Sequence, residues 1–399
     1  MPSRLAYVIV LSAAVMLAPF AIDLYLPAFP AIADGFATRV ENIEATIAIY
    51  LAGSAIGQLV LGPIADAYGR RRVLVGGVAL FIIASLLIGA SETLGDFYFW
   101  RFLQALGGAG SVAVFPIARE RFGPQESARV ISYMMAIIVI APIVAPILGG
   151  YVLLFAGWRA IFALAAAIGI AVLAATILFI RSDRPSARAH NRPLLISRYR
   201  LVLAEPCIFL PVLASGLAFA GLFAFVAGSP HVYITHFGAA PEHYGYLVAL
   251  NAAAMVIANF VNGRALASVD PVRKIVFGAL GLAGAGAALL FAAFAGFGLP
   301  ALIMAVIGFF FALAFVETNA VIIALSVRPQ DNGAVAALNG AFQSGAGAVG
   351  SYLVSFFDAS GASAMAFVMA GAGVAVLLTS LLLQRGGGRS RGRVRCGAP

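Results

Sequence analysis

The sequence predicts an all-α membrane protein, with twelve transmembrane helices in two six-helix bundles. Three observations predict it. Hydrophobic residues make up 62% of the chain and charged residues only 10%, with a mean hydropathy of +1.01, whereas a soluble domain carries about 25% charged residues. No soluble fold hides that much apolar surface, so the solvent must be lipid. The apolar stretches are long and unbroken, unlike the alternating segments of about ten residues that build a membrane barrel, so they read as helices. Finally, 22 of the 25 Lys and Arg residues fall on one side of the alternating topology that these stretches define, as the positive-inside rule requires.

The first run, 5–33, has no charge from Leu5 to Ile22 and then meets Asp23. It is too long for a cleaved signal peptide, and no small-residue cleavage site leads into a soluble domain. A carboxylate in hydrocarbon costs roughly 2.5–3.5 kcal/mol on insertion scales, so Asp23 is a functional candidate. Runs 43–64, 73–91, 95–117, 129–155 and 158–180 complete an N-terminal bundle, 1–180. A polar, basic linker follows at 181–203. Runs 206–228, 244–263, 273–295, 300–325, 332–357 and 361–384 form a C-terminal bundle, 204–384, ahead of a Gly/Arg-rich tail, 385–399, expected to be disordered. Each run is near or above the ~20 residues a helix needs to cross the bilayer core.

With both termini inside, only Arg39 and Arg159 lie outside, and Arg101 falls within a helix. Trp100 and Trp158 then sit near the outer interface. The net charge of +9 thus reports topology and contact with anionic lipid head groups, not nucleic acid. Cys207 and Cys396 both face the reducing side, so no disulfide is expected.

The halves resemble copies of each other. "FAIDLYLP" (20–27) matches "FAFVAGSP" (223–230), and Tyr50, Gln58 and Gly62 align with Asn251, Asn259 and Gly263 at an offset of 201. Such parallel repeats build two bundles around a central site. Val226 replaces Asp23 in the second copy and Ala267 replaces Asp66, so these charges belong to the first half alone.

Between the second and third helices stands "GPIADAYGRRRVL". Gly62 and Gly69 permit a tight turn and close backbone approach, and Asp66 can pair with Arg70 one turn on. The expected role is an inner latch; the arginine run alone would support only positive-inside topology. Asp23 lies about ten residues before the outer end of its helix and Arg101 about six after the outer start of the fourth. At 1.5 Å per residue both sit roughly 9–15 Å deep and are expected to meet. Burial and a neighbouring cation pull a carboxylate's protonation in opposite senses, a balance that changes as water access switches sides. The alternative is a static ion pair. Glu317 is a further intramembrane acid with no evident basic partner: a second proton site, a site for a cationic or hydroxyl-rich substrate, or an acid hydrogen-bonded to a neighbour such as Asn319.

Polar positions at helical spacing mark a substrate cavity: Tyr50, Ser54 and Gln58 on the second helix, Gln104 on the fourth, Asn251 and Asn259 on the eighth, Asn319 on the tenth, and Asn339 with Gln343 on the eleventh. Phe219 and Phe223 add an aromatic wall. Such a cavity suits amphipathic molecules of drug size. Pro142, Pro146, Gly149 and Gly150 are expected to bend the fifth helix and let it pack closely. His231, His236 and His243 share an outer loop but lack ligand spacing, so no metal is assigned. There is no H-E-x-x-H, G-x-S-x-G or P-loop motif, so neither catalysis nor ATP hydrolysis is expected.

The 62–74 loop resembles the G-x-x-x-D-x-x-G-R-R/K motif of the major facilitator superfamily. "RFLQALGG", with Arg101, Gln104 and Gly107, matches its R-x-x-Q-G pattern. "APIVAPILGG" (141–150) resembles its antiporter motif, with Ala141 and Ala145 where many members have Gly. With "DLYLPAFP", "AGLFAFVAGSP" and "NGR", the chain is similar to the Bcr/CflA-type drug-resistance branch over nearly its whole length. The resemblance implies the major facilitator fold and a monomeric, proton-driven antiporter in a bacterial inner membrane. Such a protein uses no cofactor besides the proton gradient. Asp23 and Arg101 match its coupling positions. A second first-helix acid found in some relatives is Val15 here, and Glu317 departs from the branch pattern. Rival readings are an exporter of an endogenous metabolite, an uncoupled facilitator, and a membrane receptor or channel.

Overall fold

The computed structural model describes residues 4–138, 140–180, 200, 203–266, 268–328, 332–357 and 362–389. Ten stretches within them are long and apolar enough to cross a bilayer. The chain divides into two compact units, Met1–Arg192 with Ala240–Tyr246, and Pro193–Ala239 with Leu247–Pro399.

Unit 1 begins with α1 (Arg4–Asp23), a 3₁₀ turn (Leu26–Ala28) and the short α2 (Phe29–Gly35), which together make one crossing, Leu5–Gly35. It continues through α3 (Val40–Tyr68), α4 (Arg70–Gly89) and α5 (Leu94–Gly108), then a 3₁₀ turn (Ala109–Ala113) that leads into α6 (Val114–Ile138) and α7 (Ala141–Phe179). Gly123 (φ +71°) and Gly157 (φ +75°) break α6 and α7, so each consists of two helices joined at a turn. Gly157 falls in the gap between the fifth and sixth runs, as the sequence predicts, and the fifth run, 129–155, occupies the end of α6 and the start of α7. Pro142 explains the start of α7: it lies in the first turn, where its missing N–H leaves no helical bond unmade. Pro146 lies inside the helix.

Unit 2 contains α8 (Pro206–Pro230), most of α9 (Pro241–Phe260), α10 (Pro271–Phe294), α11 (Leu299–Val327), α12 (Asn332–Phe356) and α13 (Ser363–Arg389). The α12 helix falls outside the ten apolar stretches because Asn, Gln, Ser and Gly dilute its hydropathy. Its neighbour across the unit is α8. The linker lies outside the described residues except for Arg200 and 203, as do residues 390–399 of the tail; α13 extends to Arg389. Cys207, for which no disulfide with Cys396 is expected, is buried in the first turn of α8. Cys396 lies outside the described residues.

Small residues set the helix spacing, as in membrane bundles generally. In unit 1, a Cβ placed on Gly149 of α7 would stand 1.8 Å from the carbonyl oxygen of Leu24, immediately after Asp23. In unit 2, a Cβ on Gly350 of α12 would stand 2.2 Å from the carbonyl oxygen of Ala220 on α8. Gly149 and Gly350 are 201 residues apart, the offset that aligns the sequence repeats. Each repeat thus relies on a glycine at the same place to bring its fifth helix onto its first.

Candidate functional site

Unit 1 is organised around Arg101, which is fully buried. Its α5 helix is started by Thr93, whose hydroxyl caps the Asp96 N–H, and the R-x-x-Q spacing puts Arg101 and Gln104 on one face. Nη1 of Arg101 donates to Gln104 Oε1 at 2.6 Å and to the Ala21 carbonyl at 3.3 Å. Gln104 Nε2 donates to Ser85 Oγ at 2.7 Å, and Ser85 donates onward to the Phe81 carbonyl. The guanidinium lies against two rings, its central carbon 4.2 Å from the centroid of Tyr25 and 4.5 Å from that of Tyr50. Both tyrosines are themselves tied down: Tyr50 donates to the Ala18 carbonyl, and Tyr25 shares a 2.7 Å bond with Thr46.

The expected ion pair is not formed. No ion pair joins Asp23 to Arg101 among the described residues, and the Asp23 side chain, 9% exposed, makes no hydrogen bond there. Nε and Nη2 of Arg101 also lack partners. Axial depth brought the two residues to one level; it could not supply the direction of the side chains, and the tyrosine rings take up the guanidinium faces. The remaining predicted residues of α3 lie further along that helix, where Gln58 Nε2 donates to Ser54 Oγ at 3.1 Å.

At the inner loop, Gly69 has φ +101° and turns the chain from α3 into α4. Gly62 does not make the close approach expected of it: a Cβ there would meet nothing within 4 Å, because it lies within α3 ahead of the turn. The side chain of Asp66 is outside the described residues. Arg70 forms an ion pair with Glu120 of α6, a partner 50 residues away that local spacing does not indicate. Arg71 donates to the carbonyls of Ile180 and Ile177 at 2.6 and 3.0 Å, capping the end of α7 where a cation is favoured. Gly149 and Gly150 are buried in α7.

Unit 2 has its own polar centre. Glu317 of α11 accepts from Ser215 of α8 at 3.2 and 3.1 Å, one distance to each oxygen, and from Gln343 Nε2 of α12 at 2.8 Å. Gln343 Nε2 also donates to Ser215 Oγ at 2.9 Å. Asn319 is not the partner of Glu317; two residues further along α11, it faces another side of the helix. It donates to Asn262 Oδ1 and to the Phe315 carbonyl. Asn259 accepts from Thr318. Asn251 is buried with both amide atoms unpartnered, and Asn339 Oδ1 is likewise unpartnered. Phe219 and Phe223 are half-buried with ring centroids 5.9 Å apart.

Sequence reasoning missed Tyr25, Ser85, Ser215 and Glu44. Ser215 carried a signal, being one turn before Phe219 on the same face of α8. Glu44 is 3% exposed although it stands at the very start of an apolar run.

The family model of the Major Facilitator Superfamily matches residues 11–351. The chain belongs to that superfamily. It is 30% identical over 397 residues to a bicyclomycin resistance protein homolog of Haemophilus influenzae, covering 98% of this chain and 99% of that protein. It is 33% identical over 266 residues to the multidrug resistance protein MdtL of Escherichia coli, covering 65% and 66% of the two chains. Among solved structures, the inward-open xylose transporter XylE of E. coli matches with a TM-score of 0.73 at 16% identity, covering 98% of each chain. That likeness is one of fold, and the fold is the major facilitator fold. The family places this chain among multi-pass membrane transporters of the drug-resistance branch.

Proposed function

We propose that the protein is a proton-driven antiporter that exports amphipathic drugs across a bacterial inner membrane by alternating access, with both termini in the cytoplasm. The observation that carries this reading is Asp23: a buried acid with no ion pair and no hydrogen bond among the described residues, in the same unit as a cation locked in place by two rings and a glutamine. A static structural pair would show the two groups joined. A carboxylate left unengaged near a fixed cation suits proton uptake and release instead. The names of the relatives, which refer to bicyclomycin and multidrug resistance, support drugs as the cargo.

In this reading a proton entering from outside binds Asp23, the bundles rock, and the proton leaves inside as substrate is expelled outward. Arg101 sets the field at the acid. Asp66 with Arg70 latches the inner side, and the polar residues of both units line the substrate path. The test is efflux of a fluorescent drug from proteoliposomes carrying a pH gradient. Asp23→Asn is expected to abolish gradient-driven efflux with the protein still folded; efflux at the full rate would remove Asp23 from coupling. Proton release on adding substrate to the protein in detergent separates a coupled transporter from a facilitator, which releases none.

A further inference from the structure

The bonds that hold Arg101 pass through one residue that the proton cycle described above leaves unused. We infer that Ser85 of α4 is a positioning residue for transport: by accepting from Gln104 it keeps the Arg101 guanidinium anchored away from Asp23 and leaves that acid free to take up a proton. The inference rests on the proton-coupled reading and names what holds the two groups apart.

The bonds form a chain of one polarity. Arg101 has only donors, so the Gln104 amide must turn its oxygen to the guanidinium, and Oε1 accepts from Nη1 at 2.6 Å. That leaves Nε2 to donate elsewhere, and it meets Ser85 Oγ at 2.7 Å. The Ser85 hydroxyl gives its single proton to the Phe81 carbonyl at 2.6 Å, so toward Gln104 it acts as an acceptor. Each bond polarises the next. Ser85 and Gln104 are fully buried, out of reach of bulk water. The helices that carry them cross in near contact: a Cβ on Gly107 of α5 would stand 2.6 Å from the Phe81 amide nitrogen and 2.7 Å from the Gly77 carbonyl oxygen, both on α4. Phe81 is one turn from Ser85, and Gly107 is three residues from Gln104. The acceptor is therefore set rigidly against the amide.

The anchored cation lies close to the acid. Its Nη1 also donates to the carbonyl of Ala21, two residues before Asp23, and the charges of Arg101 and Asp23 both act on the Tyr50 hydroxyl. Nε and Nη2 nevertheless have no partner. A guanidinium with donors to spare stays off a nearby acid only while its other contacts hold it. Without the Ser85 oxygen, Gln104 either keeps an unmet N–H in the core or turns that N–H against the guanidinium, donor to donor. Both weaken the anchor, and the guanidinium then turns to Asp23. A carboxylate paired with a guanidinium holds a proton less well. Other charges do not compete. The titratable side chains against the guanidinium are Tyr25 and Tyr50. Asp34, Glu41, Glu44, Glu92 and Asp96 lie toward the outer helix ends. α4 has no charge from Val73 to Gly89, α6 none before Arg119, and α7 none from Ala141 to Trp158.

The test reads Asp23 directly. Full-length protein in detergent is treated with dicyclohexylcarbodiimide over a series of pH values. Labelling of Asp23, which requires the protonated carboxyl, is followed by mass spectrometry. Ser85→Ala is expected to move the labelling midpoint to the acid side by about one pH unit or more. Ser85→Thr, which keeps a hydroxyl, is expected to retain the wild-type midpoint. Gln104→Leu should shift the midpoint in the same direction, and adding Ser85→Ala to it should produce no further shift; a merely structural role for Ser85 would not give that pattern. Should Ser85→Ala fail to fold, Ser85→Cys, close in size and a weak acceptor, must move the midpoint the same way. The labelling does not depend on transport. If Asp23→Asn kept full efflux, the coupling reading would fall, while the labelling would still decide whether Ser85 keeps Arg101 off the acid. An unchanged midpoint in Ser85→Ala, a further shift in the double variant, or an Asp23 that labels at no pH overturns the inference.

Discussion

The central guanidinium carbon of Arg101 lies 4.2 Å from the ring centroid of Tyr25. A desolvated cation–π contact is worth about 2 kcal/mol, and no acid among the described residues shares the load. The ring, more than the hydroxyl, is therefore expected to matter. Tyr25→Phe keeps the ring and gives up only the bond to Thr46, a loss of roughly 0.5–1.5 kcal/mol. Tyr25→Leu gives up both. Thermal unfolding in detergent should rank the variants wild type, Phe, Leu, and Tyr25→Leu should also lose most drug efflux. Equal unfolding temperatures for the two variants would mean that the ring face does not stabilise the cation.

Gly149 and Gly350 make a matched prediction. A methyl on either must displace backbone, since the nearest atoms are carbonyl oxygens at 1.8 and 2.2 Å; overpacking of this kind typically costs about 1–3 kcal/mol. Gly149→Ala and Gly350→Ala should each lower the unfolding temperature and impair transport. Gly62→Ala is the control. It sits within α3 with open space around it, so alanine should be neutral or stabilise by up to roughly 1 kcal/mol. If all three behave alike, the close approaches do not govern packing.

The Arg70–Glu120 pair joins α4 to α6 at a partly exposed site, where ion pairs contribute about 0–1 kcal/mol. Stability should hardly respond to Glu120→Gln. If the pair positions the inner loop for the transport cycle, efflux should fall in Glu120→Gln and in Arg70→Glu, and recover in the double exchange Arg70→Glu with Glu120→Arg. Efflux that stays low in the double exchange would assign the effect to each residue alone.

What the sequence made legible follows from what is local. Hydropathy marked the helices because bilayer thickness sets their length, and the 201-residue offset carried the repeat through to Gly149 and Gly350. The motif spacing placed Arg101 beside Gln104, since both lie on one turn of α5. The partners across helices were out of reach. Tyr25 is 76 residues from Arg101, and the Glu317 cluster draws on side chains 102 and 26 residues away. Depth in the bilayer could bring Asp23 and Arg101 to one level but could not orient them. The turns at Gly123 and Gly157 fall in the gaps that separate the fourth, fifth and sixth apolar runs.

Lys274 shows the same limit and yields a last prediction. By composition it is one more cytoplasmic cation. In the structure it is 7% exposed on α10, and its Nζ donates to the carbonyl of Asn262 at 3.2 Å. That carbonyl belongs to a π-helical turn, Val261–Ala265, in which Asn262 also accepts from Asn319. No acid pairs with Lys274 among the described residues, so its charge is desolvated for a single carbonyl bond. Breaking a buried pair strands a charge, but here substitution removes the charge itself. Lys274→Met keeps the length and apolar stem and should leave the unfolding temperature unchanged or raised. Lys274→Ala loses the packing of the stem as well and should lower it. A marked loss in Lys274→Met, equal to that in Lys274→Ala, would show that the ammonium bond to the Asn262 turn, and not the stem, holds α10 in place.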